Sequence, residues 1–322
     1  MPAFATHYLF MKEMLPFIRE NSDFRFNSSA AAIGTQGPDI FFFGSVFSLP
    51  AHGVIMSKVG LAMHRAKPAE IFEAFRDYCT FSPNIDVAKS YIYGFILHYA
   101  LDRNCHPYVY SYQERILARN HKLHRSSAHN RVEMAMDTRF LYEKAGYKNP
   151  GDFDGSTTIT SDYEVIEEVS HLLSFVIPRV TQYAMTEEEV ASAIKATKKF
   201  QRIIKDKSGA LRNLCRATET VFAPIIKHYK FSSAIRPKDL EKSKKYGNIN
   251  NNPWYSPYEP DRERNESFLD LFNISIADAE NLILGFRDML RGRTNGREVT
   301  HNISFLTGIE AYNYEIDTEF SN

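Results

Sequence analysis

The sequence predicts an all-α fold, on the strength of two observations. In most segments apolar residues recur every three or four positions, which is the period of a helix buried along one face. Runs in which strand-forming and polar residues alternate are scarce, and no internal repeat is present. Of the 322 residues, 43% are hydrophobic, including 24 Phe and 18 Tyr, which is ample material for a packed core. The chain is therefore predicted to be a folded multi-helix protein rather than a disordered one.

Four long helices are predicted in the first half of the chain. They cover residues 6–21, 67–81, 86–105 and 127–146. Prolines are expected to kink or end two of these helices. Pro16 is expected to kink or end the first helix. Pro107 disfavours helical backbone in the residue before it, so the third helix is expected to end at His106, at the rim of a site.

The best internal boundary is the turn-rich stretch "YKNPGDFDGSTT" at residues 147–158. It separates a predicted metal-binding core, residues 1–148, from a helical C-terminal portion, residues 159–322, expected to pack on that core as one globular unit. Helices are predicted there over residues 161–180, 186–206, 209–229 and 275–292. Residues 245–267 read as a long irregular loop that holds the only tryptophan, Trp254, and its role is left open.

Charge and cysteine content narrow the classes of function. Lys+Arg and Asp+Glu balance at 39 each, so no strong signal for nucleic acid is present. Three scattered cysteines predict a reducing compartment without a disulfide framework, and Cys105 is interpreted as a core thiol. The N-terminal stretch lacks the pattern of a secretory signal, and no window is apolar enough to span a bilayer. The expected location is the cytoplasm.

The stretch "FILHYALDRNCHPY" at residues 95–108 carries the most informative pattern. It places His98, Asp102 and His106 at intervals of four within an apolar, aromatic segment. On a helix, positions four apart lie on the same face. A buried carboxylate between two imidazoles is costly unless it has a partner, and the simplest partner shared by all three groups is a metal cation.

A second helical pair and three upstream residues extend this pattern. "HNRVE" places His129 and Glu133 four positions apart, and His7, Asp39 and His52 precede the long helix. Zinc takes three or four nitrogen and oxygen ligands, so the whole set could hold two or three zinc ions. Asp102 is placed to bridge two of them, and two neighbouring metal ions that share a water would suit hydrolysis of a phosphate ester.

These motifs resemble the zinc-dependent phospholipase C family over about residues 1–140. "HYALD" with a later histidine, "H-x-x-x-E", an upstream "GPD" and an N-terminal "TH" carry the resemblance. Relatives of that family include zinc-dependent single-strand nucleases and the glycosylphosphatidylinositol-specific phospholipase D. The resemblance implies an all-α enzyme with three zinc ions at the bottom of a cleft.

The resemblance also implies a role for each matching residue. The first zinc would bind His52, His98 and Asp102, and the second would bind His106, His129 and Glu133. His7 and the bridging Asp102 would hold the third, together with the amine of Pro2 once Met1 is removed. Asp39 matches the residue that acts as general base or orients the attacking water.

The leading hypothesis is a zinc-dependent phosphodiester hydrolase acting on a phospholipid, with transient contact to a membrane surface. One alternative is a nuclease or nucleotide phosphatase on the same site, and another is a non-catalytic interaction protein stabilised by metal. His121 or His124 could replace His106 as a ligand. His64 is interpreted as a surface residue because its neighbours are basic, and structural roles are predicted for His171, His228 and His301.

Overall fold

The computed structural model describes residues 4–221 and 230–311, without the side chains of residues 50–52 and 54. Helices account for almost all regular structure in these residues, which confirms the all-α prediction. The helices are α1 Phe4–Asn21, α2 Ser28–Gly34, α3 Ile40–Ser45, α4 Pro50–Arg65, α5 Pro68–Tyr78, α6 Ile85–Arg119, α7 Arg125–Glu143, α8 Tyr163–Val180, α9 Glu187–Ile203, α10 Ala210–Val221, α11 Leu240–Lys244, α12 Phe268–Leu290 and α13 Gly296–Thr300. Four 3₁₀ turns and one β-hairpin complete the described elements.

Helix α6 is the centre of the fold. Its 35 residues begin after Asn84, whose side chain accepts a hydrogen bond from the Val87 N–H and so caps the helix. At about 1.5 Å per residue the helix is roughly 50 Å long, and α1, α2, α7, α8 and α12 all pack against it. Side chains such as Tyr91, Phe95 and Leu97 are completely buried. Each buried side chain of this size contributes about 1.5–3 kcal/mol of hydrophobic stabilisation.

The prediction that this helix ends at His106 is wrong, because α6 continues through Pro107 to Arg119. A proline inside a helix lacks the N–H that would bond the carbonyl four residues earlier, here that of Arg103. The packing of α6 outweighs that local cost of about 3 kcal/mol. His106 is consequently held rigidly inside a helix and is fully buried. Helix α1 likewise runs through Pro16 to Asn21.

One hydrophobic cluster extends from Phe4 to Leu306 and includes side chains from both halves of the chain. The turn-rich stretch at 147–158 contains two 3₁₀ turns, Pro150–Asp152 and Gly155–Thr157, capped by Asn149 and Asp154. The division into residues 1–148 and 159–322 stays a prediction.

The stretch at 245–267, predicted to be irregular, contains a short antiparallel hairpin. Its strands are β1 Trp254–Ser256 and β2 Glu259–Arg264. The Trp254 indole is fully buried, and its N–H donates to the Glu266 carbonyl at 3.0 Å. Its ring lies 5.2 Å from that of Tyr108 on α6, so this tryptophan anchors the hairpin to the central helix.

Candidate metal centre

Five elements bring eight metal-binding side chains together beside α6. Helix α6 is the main contributor, and α1, the 3₁₀ turn Gly37–Asp39, α4 and α7 surround it. In every case the side chain is at least nine-tenths buried. The eight residues, here called the cluster, are His7, Asp39, His64, His98, Asp102, His106, His129 and Glu133.

Asp102 lies at the centre of the cluster. One carboxylate oxygen, Oδ1, is 3.3 Å from His7 Nε2. The other, Oδ2, is 3.2 Å from His98 Nε2 and 3.6 Å from His64 Nε2. His106 Nδ1 is also 3.6 Å from Oδ2. A carboxylate surrounded by four imidazoles can serve as a ligand shared between neighbouring cations.

The prediction that His64 is a surface residue is wrong. Its side chain is 2% exposed, and its Nε2 lies 3.3 Å from Asp39 Oδ1 and 3.4 Å from His98 Nε2. The basic neighbours of His64 suggested a solvated position, and its acidic partners are distant in sequence. One signal was available, since Met56, Gly60 and His64 are spaced four apart on the face of α4 that carries buried Met56.

A second group joins α6 to α7. His129 Nε2 is 2.9 Å from Glu133 Oε1, and His106 Nε2 is 4.0 Å from the same oxygen. Ligand atoms from these three residues all lie within 4.8 Å of one another, as do those of two further groups, His7/Asp39/His98 and His64/His98/Asp102. The structure thus brings together seven of the residues singled out from the sequence.

Four of the histidines share one orientation. In each ring, Nδ1 faces a carbonyl oxygen while Nε2 points into the cluster. The acceptors are Gly60 O for His64 (2.8 Å), Thr35 O for His98 (3.2 Å), Phe305 O for His106 (2.6 Å) and Gln113 Oε1 for His129 (3.0 Å). Because a carbonyl oxygen only accepts, Nδ1 must carry a proton, so the lone pair of each neutral ring is on Nε2. This arrangement is the usual outer shell of a metal-binding histidine. Burial opposes protonation of His64, but Asp102 and Asp39 raise its pKa to about 9, so a cation bound at its Nε2 must displace a proton.

A close backbone approach fixes the His98 ring. Gly37, in the turn that carries Asp39, has a φ of +49°, which is in the left-handed region that favours glycine. A Cβ at this position would lie 2.5 Å from His98 Cδ2. Only glycine therefore lets the turn with Asp39 pack against the imidazole.

The charge states suit binding of a cation. Burial opposes ionisation of Asp102, but the surrounding imidazoles of His106, His98, His64 and His7 hold its pKa well below the usual value. Burial lowers the pKa of His106 to about 3 and that of His129 well below normal. These two imidazoles are therefore neutral, which is the form that coordinates metal.

The buried polar atoms also fit zinc. Six of them, in four residues, have no hydrogen-bond partner: both His7 nitrogens, Asp39 Oδ1, both Asp102 oxygens and His106 Nε2. Buried polar atoms without a partner are rare, since each costs free energy. Imidazole nitrogens and carboxylate oxygens in groups of three are the donors that zinc prefers. Bound zinc ions would satisfy these atoms together.

Asp137 positions the start of α1, a role that the sequence did not suggest. Its Oδ2 accepts the Ala5 N–H at 3.0 Å, and its Oδ1 accepts the Thr6 N–H and hydroxyl, both at 2.8 Å. The Arg236 guanidinium lies 3.6 Å from the same carboxylate. Asp137 follows Glu133 by four positions on α7, so one face of α7 carries candidate ligands and also contacts the start of the helix that carries His7.

Replacing Asp137 with alanine is expected to destabilise the fold by about 3–5 kcal/mol, because it leaves the buried Arg236 charge without a partner. The variant should also hold less zinc, since His7 loses its anchor. Thermal unfolding with and without chelator measures both effects. Asp152→Ala, which removes a partly exposed carboxylate paired with Lys207, is the control and should shift the melting temperature little. Equal shifts in the two variants would contradict the positioning role.

Other histidines lie away from the cluster. His121 is exposed, and His124 caps α7 by accepting the Ser126 N–H at 3.2 Å, so neither takes the place of His106. His171 Nδ1 is 2.9 Å from the Tyr78 hydroxyl, and His301 is exposed. His228 lies outside the described residues.

Two of the predicted ligands are not described. Pro2 lies outside the described residues, and so does the side chain of His52. The backbone of His52 belongs to α4, twelve residues before His64. At 1.5 Å per residue, that places it about 18 Å from His64 along the helix axis. Cys105 is fully buried, and burial raises the pKa of its thiol, as a core residue requires.

The fold and the cluster together define a helical protein with three groups of buried residues that could hold metal ions. Comparison with known families gives the identification: the family described as zinc dependent phospholipase C matches residues 6–190, and this chain belongs to it. All eight cluster residues lie within the match. A search of the curated proteins and a search of the solved structures found no match. Within the described residues, none of the helices combines the length and apolar character needed to cross a bilayer.

Proposed function

We propose that this protein is a zinc-dependent phosphodiester hydrolase that acts on phospholipids in the manner of a phospholipase C. The observation that carries the proposal is the buried Asp102 carboxylate among four imidazoles. Family membership supports zinc as the metal and a phospholipid as the substrate.

The proposed ligand set differs from the sequence prediction in two respects. His64 replaces His52, and Asp39, predicted as the general base, joins His7 and His98 as a candidate ligand. Three groups of residues would hold up to three zinc ions, with Asp102 shared between neighbours. The groups are His7/Asp39/His98, His64/His98/Asp102 and His106/His129/Glu133. The amine of Pro2 as a further ligand beside His7 stays a prediction.

Bound zinc would supply two things, a lowered pKa for water and positive charge to stabilise the phosphoryl oxygens. The chain's own contribution is orientation and proton transfer. Asp39 Oδ1 is buried without a hydrogen-bond partner, so it can accept a hydrogen from the attacking water. His64 Nε2 lies 3.3 Å from that oxygen.

The surface that follows Asp39 in the chain supports a lipid substrate. The segment between α3 and α4 exposes Val46, Phe47 and Leu49, with Leu49 80% exposed, and α4 exposes Ile55. Lys199 Nζ lies 4.5 Å from the centre of the Phe47 ring. Apolar side chains bordered by a basic one suit the boundary between acyl chains and phosphate groups. Transient contact with a membrane surface is therefore part of the proposal.

A substrate panel with metal removal tests the function. Purified protein is incubated with phosphatidylcholine vesicles, a water-soluble short-chain phosphatidylcholine and single-stranded DNA, before and after EDTA treatment and zinc restoration. We expect diacylglycerol and phosphorylated head group from both lipids, loss of turnover after EDTA, and recovery with zinc. Cleavage of DNA but of neither lipid would favour the nuclease alternative. Lipid turnover that survives complete metal removal would contradict the proposal.

A further inference from the structure

The C-terminal strap, defined here as residues 301–311, contacts the cluster although it lies far beyond the family match. The match ends at residue 190. Phe305, in the strap, is fully buried, and its ring centre lies 5.8 Å from that of His64 and 6.3 Å from that of His98. Its carbonyl oxygen is 2.6 Å from His106 Nδ1. The strap thus contacts ligands of two different metal-binding groups.

Specific contacts fasten the strap to α5 and α6. The Tyr99 hydroxyl donates to the Ile303 carbonyl at 2.6 Å, and the Ala69 N–H donates to Asn302 Oδ1 at 3.0 Å. His301 and Asn302 both have a φ of 51°, so the strap begins with two left-handed residues that turn the chain.

The strap also packs where Pro107 interrupts the bonding of α6. A Cβ on Gly308 would lie 2.7 Å from the Arg103 carbonyl oxygen and 2.7 Å from Pro107 Cγ. The carbonyl that loses its helical partner to Pro107 is therefore covered by strap backbone. The strap thus packs against Pro107, the residue that follows His106 on α6. This contact explains how the Phe305 carbonyl reaches the His106 imidazole.

We infer that the C-terminal strap is a positioning element of the group His106/His129/Glu133. By accepting the Nδ1 proton, the Phe305 carbonyl selects the tautomer with a free lone pair on Nε2. That nitrogen is buried, lacks a hydrogen-bond partner and faces Glu133 Oε1 at 4.0 Å. Among the described groups, the Phe305 carbonyl is the one hydrogen-bond partner of the His106 imidazole, while Asp102 Oδ2 lies 3.6 Å from the same Nδ1. Displacing the strap should therefore weaken metal binding at this group first. The inference rests on the proposed zinc cluster and assigns residues 301–311 a role in positioning one of its groups.

Two glycine variants test the inference with matched backbone strain. Gly308 and Gly292 have φ values of +69° and +68°, but a Cβ at Gly292 has no neighbour within 4 Å. Gly308→Ala must push the strap away from α6, whereas Gly292→Ala introduces only the strain of a left-handed alanine. Zinc content is measured by elemental mass spectrometry during competition with a graded chelator. We expect Gly308→Ala to lose about one zinc per chain at a chelator concentration roughly 10–100-fold lower than Gly292→Ala.

A second pair of variants tests the inference if Gly308→Ala does not fold. Tyr99→Phe removes the hydroxyl that bonds Ile303, and Tyr91→Phe removes a buried hydroxyl on the same helix that has no partner. Nitrogen NMR of labelled histidine reports the tautomer of His106, whose signal is assigned by its loss in His106→Gln. We expect the Nδ1-protonated form in wild type and Tyr91→Phe, and a mixed population in Tyr99→Phe.

The outcomes separate the inference from the proposed function. If wild type binds zinc and hydrolyses lipid, but Gly308→Ala matches Gly292→Ala and His106 is protonated on Nε2, the strap has no positioning role and the function stands. If wild type binds no zinc, both proposals fail together.

Discussion

Replacing Asp102 with asparagine is expected to remove most bound zinc and nearly all hydrolytic activity. The substitution keeps the size of the side chain but removes the charge that four imidazoles surround. Loss of metal catalysis worth several kcal/mol corresponds to a rate decrease of about a thousandfold or more. Elemental analysis and turnover of phosphatidylcholine, measured on the same preparation, check the prediction.

Asp278→Asn is the matched control for this variant. Asp278 pairs with Arg103, the residue after Asp102 on α6, but it lies outside the cluster. We expect this control to lower stability while it retains zinc and activity. Full zinc content and turnover in Asp102→Asn would show that Asp102 is not a shared ligand.

The second large effect is expected from His64→Ala. Removing this imidazole takes one candidate ligand from the group His64/His98/Asp102. Outer-shell changes alone typically cost 10–100-fold in metal affinity, so loss of a ligand should cost at least about a hundredfold. Chelator competition measures the affinity, and turnover should fall with it.

His52→Ala distinguishes the structure from the ligand assignment based on sequence order. Both histidines lie on α4, but the His52 backbone is about 18 Å from His64 along the axis. We expect His52→Ala to keep its zinc. Loss of zinc in His52→Ala together with retention in His64→Ala would restore the assignment implied by the family resemblance.

Local periodicity was sufficient to predict the fold class and the central pairs of ligands. His98/Asp102/His106 and His129/Glu133 are spaced by four within single helices, so one helix face brings each set together whatever the tertiary fold. His7 and Asp39 were candidates because they are metal-binding residue types upstream of α6, and the resemblance then implied a role for each. The sequence does not reveal how far these two residues lie from α6.

What the sequence could not predict depends on contacts between distant segments. His64 looked solvated because its acidic partners, Asp39 and Asp102, lie 25 and 38 positions away. Pro107 predicted a helix end because local rules do not include the packing of α6, which outweighs its cost. Asp137 and the C-terminal strap act through backbone groups, and neither has a sequence motif.

Zinc content per chain is the most direct test of the central claim. The full chain is purified without chelator, dialysed against metal-free buffer and analysed by elemental mass spectrometry, with its concentration determined by amino-acid analysis. The cluster predicts two or three zinc ions per chain, released by EDTA and restored by added zinc. One zinc ion or none per chain, measured in protein that unfolds cooperatively, would contradict the proposed hydrolase. It would show that the cluster residues are buried core residues that do not form a multinuclear metal site.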